Sequence, residues 1–369
     1  MSTSARPFFR RQRGFSLIEV LIGLLIAMIG VVIMMEVLIT SEQRTRTTTG
    51  GNDAVSSGAV MLHLMQRDLL QAGYGLNALG LLGCTVTLPN GRVVPMAPVG
   101  IYPAASTSTV VPAGDPNTDR LLVMYGNDTG QPEGNTIYSL AASDYTVQAP
   151  TAFHVNDYVV AFTGSCPAAL TMAKITNVGA TSVTVSAAVA GATTLYNLGA
   201  SPRVIAYAVR NGSLTTCDYM QSDCTNTSAA NWTALSGNVV SLRAQYGRDT
   251  TAGAMDGVVD VWDQTTPTNS CGWVRASAVR YALVARSTQT EATNNVSGQR
   301  VCEQATAAAP SWQGTTASAT NPTALPIDLT LTKDQNGNTV SDWQCYRYRT
   351  FETIAPTRNV LWMGTQAGC

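Results

Sequence analysis

Charged side chains are scarce in this chain of 369 residues, and lysine is almost missing. Asp, Glu, Lys and Arg together make up 12% of the sequence, and the two lysines are Lys174 and Lys333. Once the four arginines of the first 13 residues are set aside, 18 basic residues remain against 23 acidic ones, a formal charge of −5. A broad surface for nucleic acid or anionic lipid requires clustered Lys and Arg. We therefore predict that the bulk of the chain does not bind nucleic acid.

The sequence signatures of the common enzyme classes are missing as well. The chain has no GxSxG, HExxH, P-loop or GxGxxG motif. Its two histidines, His63 and His154, lie far apart in sequence, and His63 stands between Leu62 and Leu64 in a helical pattern. A structural role is the simpler interpretation of both histidines. We predict a protein that is not an enzyme and that needs no cofactor.

Eight cysteines are present, all of them beyond residue 80 and none in a CxxC pair. They are Cys84, Cys166, Cys217, Cys224, Cys271, Cys302, Cys345 and Cys369. An even number without a CxxC motif favours disulfides over a zinc site or a redox site. We expect Cys217 and Cys224 to close a local loop and Cys345 and Cys369 to tie down the tail, although eight cysteines allow 105 pairings.

A basic leader meets a long apolar run at residues 14–19. The leader has no acidic residue and four arginines, Arg6, Arg10, Arg11 and Arg13. The run over residues 15–39 is almost wholly apolar and is interrupted by Glu19 near its start and Glu36 near its end. A carboxylate within hydrocarbon costs about 2.5–3.5 kcal/mol even on the lenient insertion scale. A specific interaction is therefore expected to offset that cost at Glu19.

This junction resembles the class III signal of type IV pilins. In that family a prepilin peptidase cuts after the glycine, here Gly14, and methylates the new N-terminus, here Phe15. Glu19 stands at the family's fifth mature position. An ordinary secretory signal has a shorter apolar core that precedes its cleavage site. A plain N-terminal anchor would explain the apolar run, but it would not explain Glu19 or the Gly14–Phe15 junction.

Residues 15–39 are predicted to form a transmembrane helix. At 1.5 Å per residue this run reaches about 37 Å, enough for a hydrocarbon core of roughly 30 Å. The positive charge of Arg10, Arg11 and Arg13 is expected to keep the N-terminus cytoplasmic, so that the bulk of the chain is periplasmic after a single pass through the inner membrane.

The helical pattern is predicted to continue over residues 40–75, with one break. Gly50-Gly51 is expected to kink or end the first helix, and Asn52 or Asp53 to cap the second. Apolar residues then recur at three- and four-residue spacing along one face, namely Val55, Ala59, Leu62, Met65 and Leu69. Gly73 suits a C-cap.

Residues 76–369 have the composition of one large β-rich domain or of two packed β-rich subdomains. β-branched and apolar runs alternate with turn residues, and we predict strands at residues 120–125, 158–162, 182–186, 204–209, 238–246, 278–286 and 329–332. Asn336-Gly337 predicts a two-residue hairpin turn. Residues 305–323 are predicted to be a surface loop. The fold class is therefore α+β, a long N-terminal helix packed on a large antiparallel β domain.

Further segments resemble one pilin family. Residues 67–75 resemble the sequence that ends the long helix in PilW-type minor pilins and in J-type pseudopilins of type II secretion, except that an Arg is frequent there at the position of Leu70. Residues 239–249 resemble a strand that ends in Tyr-Gly-x-Asp. Residues 279–287 and Thr357-Arg358-Asn359 resemble the family's closing strands. The J-type pseudopilins are usually much shorter than this chain, so its length favours the PilW type.

The resemblance implies a structural role in a type IV pilus. PilW-type proteins act with other minor pilins at the filament tip, prime assembly and help display a tip adhesin. The implied partners are the prepilin peptidase, other minor pilins, the major pilin and a tip adhesin. Glu19 would pair with the charged amine of Phe15 in a neighbouring subunit. The alternatives are a J-like pseudopilin, or a pilus-borne adhesin or DNA-uptake subunit that would serve the same fimbrium.

Two acidic loops are candidates for calcium. One carries Asp249, Asp256, Asp260 and Asp263, and the other spans residues 334–338 and Asp342. Neither matches the EF-hand loop, because in the second the glycine falls at the fourth place and Cys345 at the twelfth. We predict no metal site.

One short segment combines aromatic and basic residues as DNA-binding surfaces do. It is Tyr346-Arg347-Tyr348-Arg349. We interpret it as a half-exposed strand face with cation–π contacts rather than as a binding surface.

Overall fold

The structure is a computed structural model, and it divides the chain into two compact units, Met1–Thr49 and Gly50–Cys369. The residues that it describes are 14–76, 78–127, 131, 133–166, 169–294, 297–302, 306, 308–314, 323–361 and 369. The leader residues Arg10, Arg11 and Arg13 lie outside the described residues.

A single helix, α1 (Leu17–Gln71), begins at the predicted junction and runs through both glycines at residues 50 and 51. The expected helix end at Gly50-Gly51 and the expected new cap at Asn52 or Asp53 are therefore wrong. Helix propensity is a weak prior that packing overrides. Gly50 is buried, and a Cβ on it would lie 3.3 Å from the Cβ of Ser287. This glycine permits a close approach rather than a break.

The buried face of the second half of α1 is rotated from the predicted face. Met65 and Leu69 are buried as expected, but Val55 and Ala59 are exposed. The residues that face the β domain there are Ala54, Gly58, Met61, Met65, Asp68, Leu69 and Ala72. Small residues at 54 and 58 bring the helix close to the sheet, and the ring of Phe351 lies against Gly58. Large apolar residues alone do not identify such a face.

The β domain contains 21 strands in its described part. They are β1 (Thr85–Thr87), β2 (Val93–Pro95), β3 (Val99–Tyr102), β4 (Arg120–Tyr125), β5 (Asn135–Ala141), β6 (Asp144–Val147), β7 (Tyr158–Phe162), β8 (Leu170–Val178), β9 (Ser182–Val185), β10 (Thr194–Gly199), β11 (Arg203–Arg210), β12 (Ser213–Asp218), β13 (Thr233–Gly237), β14 (Val239–Arg248), β15 (Val261–Asp263), β16 (Ala276–Arg286), β17 (Ala292–Asn294), β18 (Arg300–Cys302), β19 (Ser311–Gly314), β20 (Thr323–Pro326) and β21 (Tyr348–Pro356).

Helical segments in this domain are short. They are α2 (Ser270–Arg275), α3 (Arg358–Leu361) and the 3-10 turns Leu79–Leu81, Pro150–Ala152 and Trp343–Cys345. The long N-terminal helix and the mostly antiparallel β domain confirm the predicted α+β class.

Six of the seven predicted strands coincide with β4, β7, β9, β11, β14 and β16. The seventh, at residues 329–332, is wrong, because Thr332 closes a turn on the carbonyl of Leu329 instead. A turn does form at Asn336-Gly337, but a bridge between Lys333 and Thr339 closes it, so its loop is longer than two residues. The predicted surface loop at residues 305–323 contains β19, whose Trp312 is buried, so this prediction is wrong there.

The C-terminal sheet has the order β15-β14-β16-β21, and its strands are antiparallel. Every residue of β16 is buried, because both faces of this strand are covered. On one face the hydroxyl of Tyr281 donates to the carbonyl of Leu62 in α1 at 2.9 Å. On the other face Ala282 and Val284 share a small core with Trp312 of β19.

A second antiparallel sheet, of order β13-β12-β11-β4-β3, contributes to the main core. β4 and β11 are direct neighbours in it, with Leu121 opposite Tyr207 and Tyr125 opposite Arg203. The whole of β5–β10 lies between these two paired strands in sequence. The chain therefore leaves this sheet at the end of β4 and returns to it at the start of β11.

The inserted strands β5–β10 close into a six-stranded barrel. Their pairings run β8-β7-β10-β5-β6-β9 and return from β9 to β8, and all of them are antiparallel. Alternate residues of β7 separate two cores, because Val159 and Ala161 face the barrel interior while Val160 and Phe162 join the main core. The barrel is thus packed firmly against the rest of the β domain.

Four disulfides join all eight cysteines. They link Cys84 to Cys166, Cys217 to Cys224, Cys271 to Cys369 and Cys302 to Cys345. The predicted local loop between Cys217 and Cys224 is confirmed. The predicted link between Cys345 and Cys369 is wrong, because each of these cysteines lies beside a partner from further upstream in the chain.

We predict opposite effects for two glycines of α1. In Gly58→Ala the new Cβ would lie 2.1 Å from the Phe351 ring, so we expect the free energy of unfolding to fall by about 1–3 kcal/mol. In Gly51→Ala the Cβ has no neighbour within 4 Å, and the gain in helix propensity raises stability by up to about 1 kcal/mol. Urea denaturation of residues 40–369, which keep a helical segment before Gly51, measures both. Equal stabilisation by the two substitutions would contradict the packing described for Gly58.

Candidate functional site

The backbone around the predicted cleavage bond is accessible. Residues 14–16 precede the helix and have no regular structure, and the side chain of Phe15 is 81% exposed. The helix begins immediately afterwards, with the amides of Glu19 and Val20 donating to the carbonyl of Ser16. The bond between Gly14 and Phe15 is therefore exposed, and a helix follows it directly.

The first part of α1 is long and apolar enough to cross a membrane, by length and composition. This span is Leu17–Glu42, whose 26 residues reach about 39 Å. Glu19 is exposed on its surface and has no ion-pair partner among the described residues of the chain. Glu36 lies six residues from the other end of the span.

At the far end of α1 a carboxylate is buried between the helix and the second sheet. Asp68 is 3% exposed. It accepts hydrogen bonds from the hydroxyls of Tyr125, at 3.3 Å, and Tyr207. Burial and the Asp68 carboxylate raise the pKa of Tyr125 to about 12 and raise the pKa of Tyr207 as well, so both phenols remain protonated donors. Arg67, at 3.3 Å from Asp68, supplies a partner from the solvent side.

The last turn of α1 is capped by a side chain that is distant in sequence. The amide of Asn359 donates to the carbonyls of Gln71 and Ala72 at 3.0 and 3.1 Å. Gly73 adopts φ +81°, a left-handed conformation that suits glycine, and its amide donates to the carbonyl of Met124. The predicted C-cap at Gly73 is therefore confirmed, and Asn359 satisfies the carbonyls that a helix end leaves free.

The other segments that resembled the pilin family also serve this junction. The hydroxyl of Tyr246 accepts from the amide of Ile101 at 2.6 Å and donates to the carbonyl of Val99 at 3.2 Å, which joins the two sheets. The hydroxyl of Thr357 donates to the carbonyl of Ala276 at 2.8 Å. These residues hold α1 and the two sheets together, and none of them forms a catalytic arrangement in the described part of the chain.

A cavity of about 390 Å³ opens beside the end of α1. Its lining includes Tyr74, Tyr125, Asn127, Arg203 and Asn359. The guanidinium of Arg203 lies 3.2 Å from a carboxylate oxygen of Asp218, so the cavity has no excess positive charge to attract a phosphate. It thus gives no support to a nucleic-acid site.

The oxygens of the two acidic loops are engaged by the protein itself. Asp249 accepts from the amides of Thr251 and Gly257, and Asp260 from the amide of Thr250. No group of three or more His, Cys, Asp or Glu side chains in the described ranges is arranged to hold a metal ion.

The second loop is organised in the same way. The amides of Asn336 and Asn338 donate to Asp334, and the hydrogen bonds from Asn338 lower the pKa of that carboxyl. The loop geometry thus follows from hydrogen bonds without any need for calcium.

The aromatic and basic segment at residues 346–349 is partly engaged in contacts within the chain. Arg347 forms an ion pair with Glu291, and the guanidinium of Arg286 lies 4.9 Å from the ring centre of Tyr346. Tyr348 and Arg349 begin β21. This arrangement agrees with the interpretation as a strand face with cation–π contacts.

The two histidines are both exposed on the surface of the β domain's unit. His154 lies 3.6 Å from Asp157, and its amide donates to the same carboxylate. His63 faces solvent on α1. Neither side chain lies in a described nucleophile or metal arrangement.

Sequence reasoning missed the partners of Asp68. Residues 67–75 carry a sequence that resembles the pilin family, but nothing in the sequence identifies Tyr125 and Tyr207 as the hydrogen-bond donors of Asp68. The available signal was an acidic residue on the apolar side of a helix, which requires buried hydrogen-bond donors from elsewhere.

Comparison with known families gives two matches. The family model described as Type IV Pilus-assembly protein W matches residues 206–359, and the model described as Prokaryotic N-terminal methylation motif matches residues 9–35. The first match begins within β11 and ends at Asn359, so it excludes the inserted barrel. No curated protein and no solved structure is significantly similar to the chain. The two matches confirm the resemblance found at the N-terminus and in the C-terminal strands.

We predict that Asp68 and its neighbour Arg67 differ strongly in their contribution to stability. Asp68→Ala leaves two buried phenols without an acceptor and is expected to lower the free energy of unfolding by about 2–4 kcal/mol. Arg67→Ala removes a side chain that is 61% exposed, and should cost less than about 1 kcal/mol. Urea denaturation of Gly50–Cys369 measures both. If Arg67→Ala lowers the free energy of unfolding as much as Asp68→Ala does, the buried hydrogen bonds of Asp68 are not its main contribution to stability.

Proposed function

We propose that this chain, a type IV pilin of the PilW type, is a minor pilin that primes pilus assembly and remains at the tip with other minor pilins. The observation that carries the proposal is Glu19. Its carboxylate lies on the surface of an apolar span, four residues after Phe15, and the described part of its own chain offers it no cationic partner. A neighbouring subunit is the natural source of that partner.

Maturation supplies the complementary charge. The prepilin peptidase cuts between Gly14 and Phe15, and methylation leaves the amine of Phe15 charged while it reduces the number of its N–H donors. The arginine-rich leader, including Arg10, Arg11 and Arg13, holds the N-terminus on the cytoplasmic side until then. The bulk of the chain is periplasmic at this stage, and the protein passes through the inner membrane once.

Pairing of Glu19 with a neighbour's Phe15 fixes the register between two helices. In hydrocarbon an isolated carboxylate is costly, whereas a hydrogen-bonded ion pair recovers part of that cost. The amine stands at the start of one subunit's helix, and Glu19 lies a little more than one turn along the helix of the other subunit. The ion pair therefore forms at only one axial position of the two helices. Contacts between apolar side chains alone would let one helix slide along the other.

The size of the β domain supports a position at the tip. A subunit inside a filament has neighbours above and below it, whereas a subunit at the end has neighbours on one side only. The inserted barrel, β5–β10, adds bulk that an end position accommodates. Its place between the paired strands β4 and β11 makes it an insertion into the second sheet. A tip adhesin is a further partner at this position.

A J-like pseudopilin of type II secretion is the alternative that shares the same N-terminal chemistry. An adhesin or DNA-uptake subunit is the other alternative. The ion pairs of Arg203 and Arg347 leave these two arginines without the unpaired positive charge that DNA uptake would use. The order of preference is therefore minor pilin, pseudopilin, and then adhesin or DNA-uptake subunit.

We predict that Glu19→Gln weakens incorporation into pili without affecting export or cleavage. The substitution keeps the shape of the side chain and removes the charge that pairs with Phe15. The amount of the protein in sheared, purified pili, relative to its amount in the membrane, measures incorporation. We expect this ratio to fall at least tenfold, which corresponds to about 1.4 kcal/mol of lost free energy of association. Cleavage is checked by the mass of the N-terminal peptide.

Glu36→Gln is the matched control for this prediction. It removes the second carboxylate of the same span, at a position far from the Phe15 end. We expect incorporation close to that of the wild type. If Glu19→Gln and Glu36→Gln are both recovered in pili like the wild type, the register role of Glu19 is wrong.

We predict that the full-length processed chain co-purifies with the other minor pilins of its own pilus system. Detergent extracts containing the tagged chain are expected to yield a stable complex of defined stoichiometry, and Glu19→Gln to reduce its yield. Co-purification with secretion pseudopilins instead would assign the chain to the alternative assembly. Recovery of the chain by itself, with intact pili still present, would contradict the tip-complex proposal.

A further inference from the structure

The last four cysteines of the chain are paired in a nested order. Cys302 pairs with Cys345, and both lie inside the loop that the Cys271–Cys369 link closes. The first four cysteines pair in chain order, Cys84 with Cys166 and Cys217 with Cys224. One half of the disulfide set therefore follows the order of synthesis, and the other half does not.

Consecutive pairing is favoured while the chain is still unfolded. After Cys271 the next cysteine is Cys302, 31 residues further on, whereas the native partner is 98 residues away. The probability of loop closure falls as about the three-halves power of loop length, so the shorter loop closes about fivefold more often. Export from the N-terminal end adds to this bias, because Cys302 then reaches the oxidising compartment before Cys369 does. This step rests on the export included in the proposed function.

The consecutive link between Cys271 and Cys302 is incompatible with the native position of Cys302. Cys271 stands in α2, just before the start of β16, and Cys345 just before β21, whose first residue Tyr348 pairs with Arg286 at the other end of β16. The 11 residues of β16 span about 34 Å. A disulfide requires Cα atoms within about 7 Å. A link from Cys271 to Cys302 must therefore open before Cys302 can take its native place beside Cys345.

Local contacts hold the two native links at their separate ends. The amide of Glu291, beyond the end of β16, donates to the carbonyl of Cys345 at 2.8 Å. At the other end, Nε of Arg275 donates to the carbonyl oxygen of Cys369 at 2.8 Å. These contacts exist in the folded sheet, so they select the native pairs only after consecutive links have been able to form.

We propose that this chain is a substrate of a thiol–disulfide isomerase, a reduced dithiol protein that corrects its C-terminal cysteines. A thiolate of the isomerase attacks Sγ of Cys302 in a Cys271–Cys302 link, which forms a mixed disulfide and releases Cys271 as a thiolate. The thiolate of Cys345 then attacks Sγ of Cys302, forms the native link and releases the isomerase thiolate. One disulfide replaces another, and no electrons are transferred overall.

The remaining pair is completed by oxidation. Cys271 and Cys369 give up two electrons and two protons to the disulfide of a separate dithiol oxidase, which becomes a dithiol. The isomerase and the oxidase therefore have different tasks on this chain, and only the nested pairs need both.

The test compares cells that have the periplasmic oxidase and either contain or lack the isomerase. Disulfides of the full-length chain are mapped by mass spectrometry of peptides prepared without reduction. Without the isomerase we expect Cys271–Cys369 and Cys302–Cys345 to fall at least fivefold and Cys271–Cys302 to accumulate. Cys84–Cys166 and Cys217–Cys224 are the internal controls and should form equally in both strains. Native pairing of all four links at equal yield in both strains overturns the proposal.

A double variant separates pairing order from a general folding defect. In C302S/C345S, Cys369 is the next cysteine after Cys271, so this link should form without the isomerase. C84S/C166S removes two cysteines that already pair in order, and should keep the dependence of the wild type. If C302S/C345S still requires the isomerase for Cys271–Cys369, nested order is not the cause and the proposal fails.

Refolding of the reduced full-length chain in vitro, in a buffer of reduced and oxidised glutathione and with or without purified isomerase, repeats the comparison without export. Faster recovery of the two nested links with the isomerase supports the proposal, and equal rates contradict it. Glu19→Gln should leave the disulfide pattern unchanged. A failure of the pilus role is thus distinguished from a failure of the isomerase proposal.

Discussion

The carboxylate of Asp68 is the interaction on which the arrangement of the β domain depends. It is buried in the last part of α1 and accepts hydrogen bonds from Tyr125, the final residue of β4, and from Tyr207 in β11. A buried charge of this kind requires its donors in place, so the helix and the two strands must meet in one relative position. The chain leaves for the barrel after β4 and returns at β11, and the same carboxylate therefore also fixes the base of the insertion.

The remaining contacts of the junction extend the same constraint. Asn359 caps the end of α1 from a position almost 290 residues later in the chain, and Tyr281 bonds to the carbonyl of Leu62 one turn and a half before Asp68. Tyr246 connects the two sheets. The segments that resemble the pilin family are mostly those that make these contacts. Their contacts fix the position of the second half of α1 on the two sheets. The barrel adds bulk without changing these contacts.

The N-terminal segment obeys a different constraint. Its apolar surface suits the membrane, and the one carboxylate near its start has no partner in the described part of the chain. In a membrane-anchored pilin this combination makes a helix that is stable in the bilayer and yet carries one unsatisfied charge. In the assembly proposed above, the amine of a processed neighbour supplies the missing partner, and the first unit serves both anchoring and register.

The sequence by itself determined the features that depend on neighbouring residues. Local periodicity and turn chemistry identified the apolar helix that is long enough to cross a membrane, six strands, the glycine cap at Gly73 and the short Cys217–Cys224 loop. Only the tertiary structure decided the features that depend on distant partners. The buried face of α1 was set by Gly58 against Phe351, the donors of Asp68 come from up to 139 residues away, and the nested disulfides follow the ends of β16 and β21. The physical reason is that hydrophobic periodicity records which residues are buried, whereas pairing across a sheet depends on register, which no local pattern in a single sequence contains.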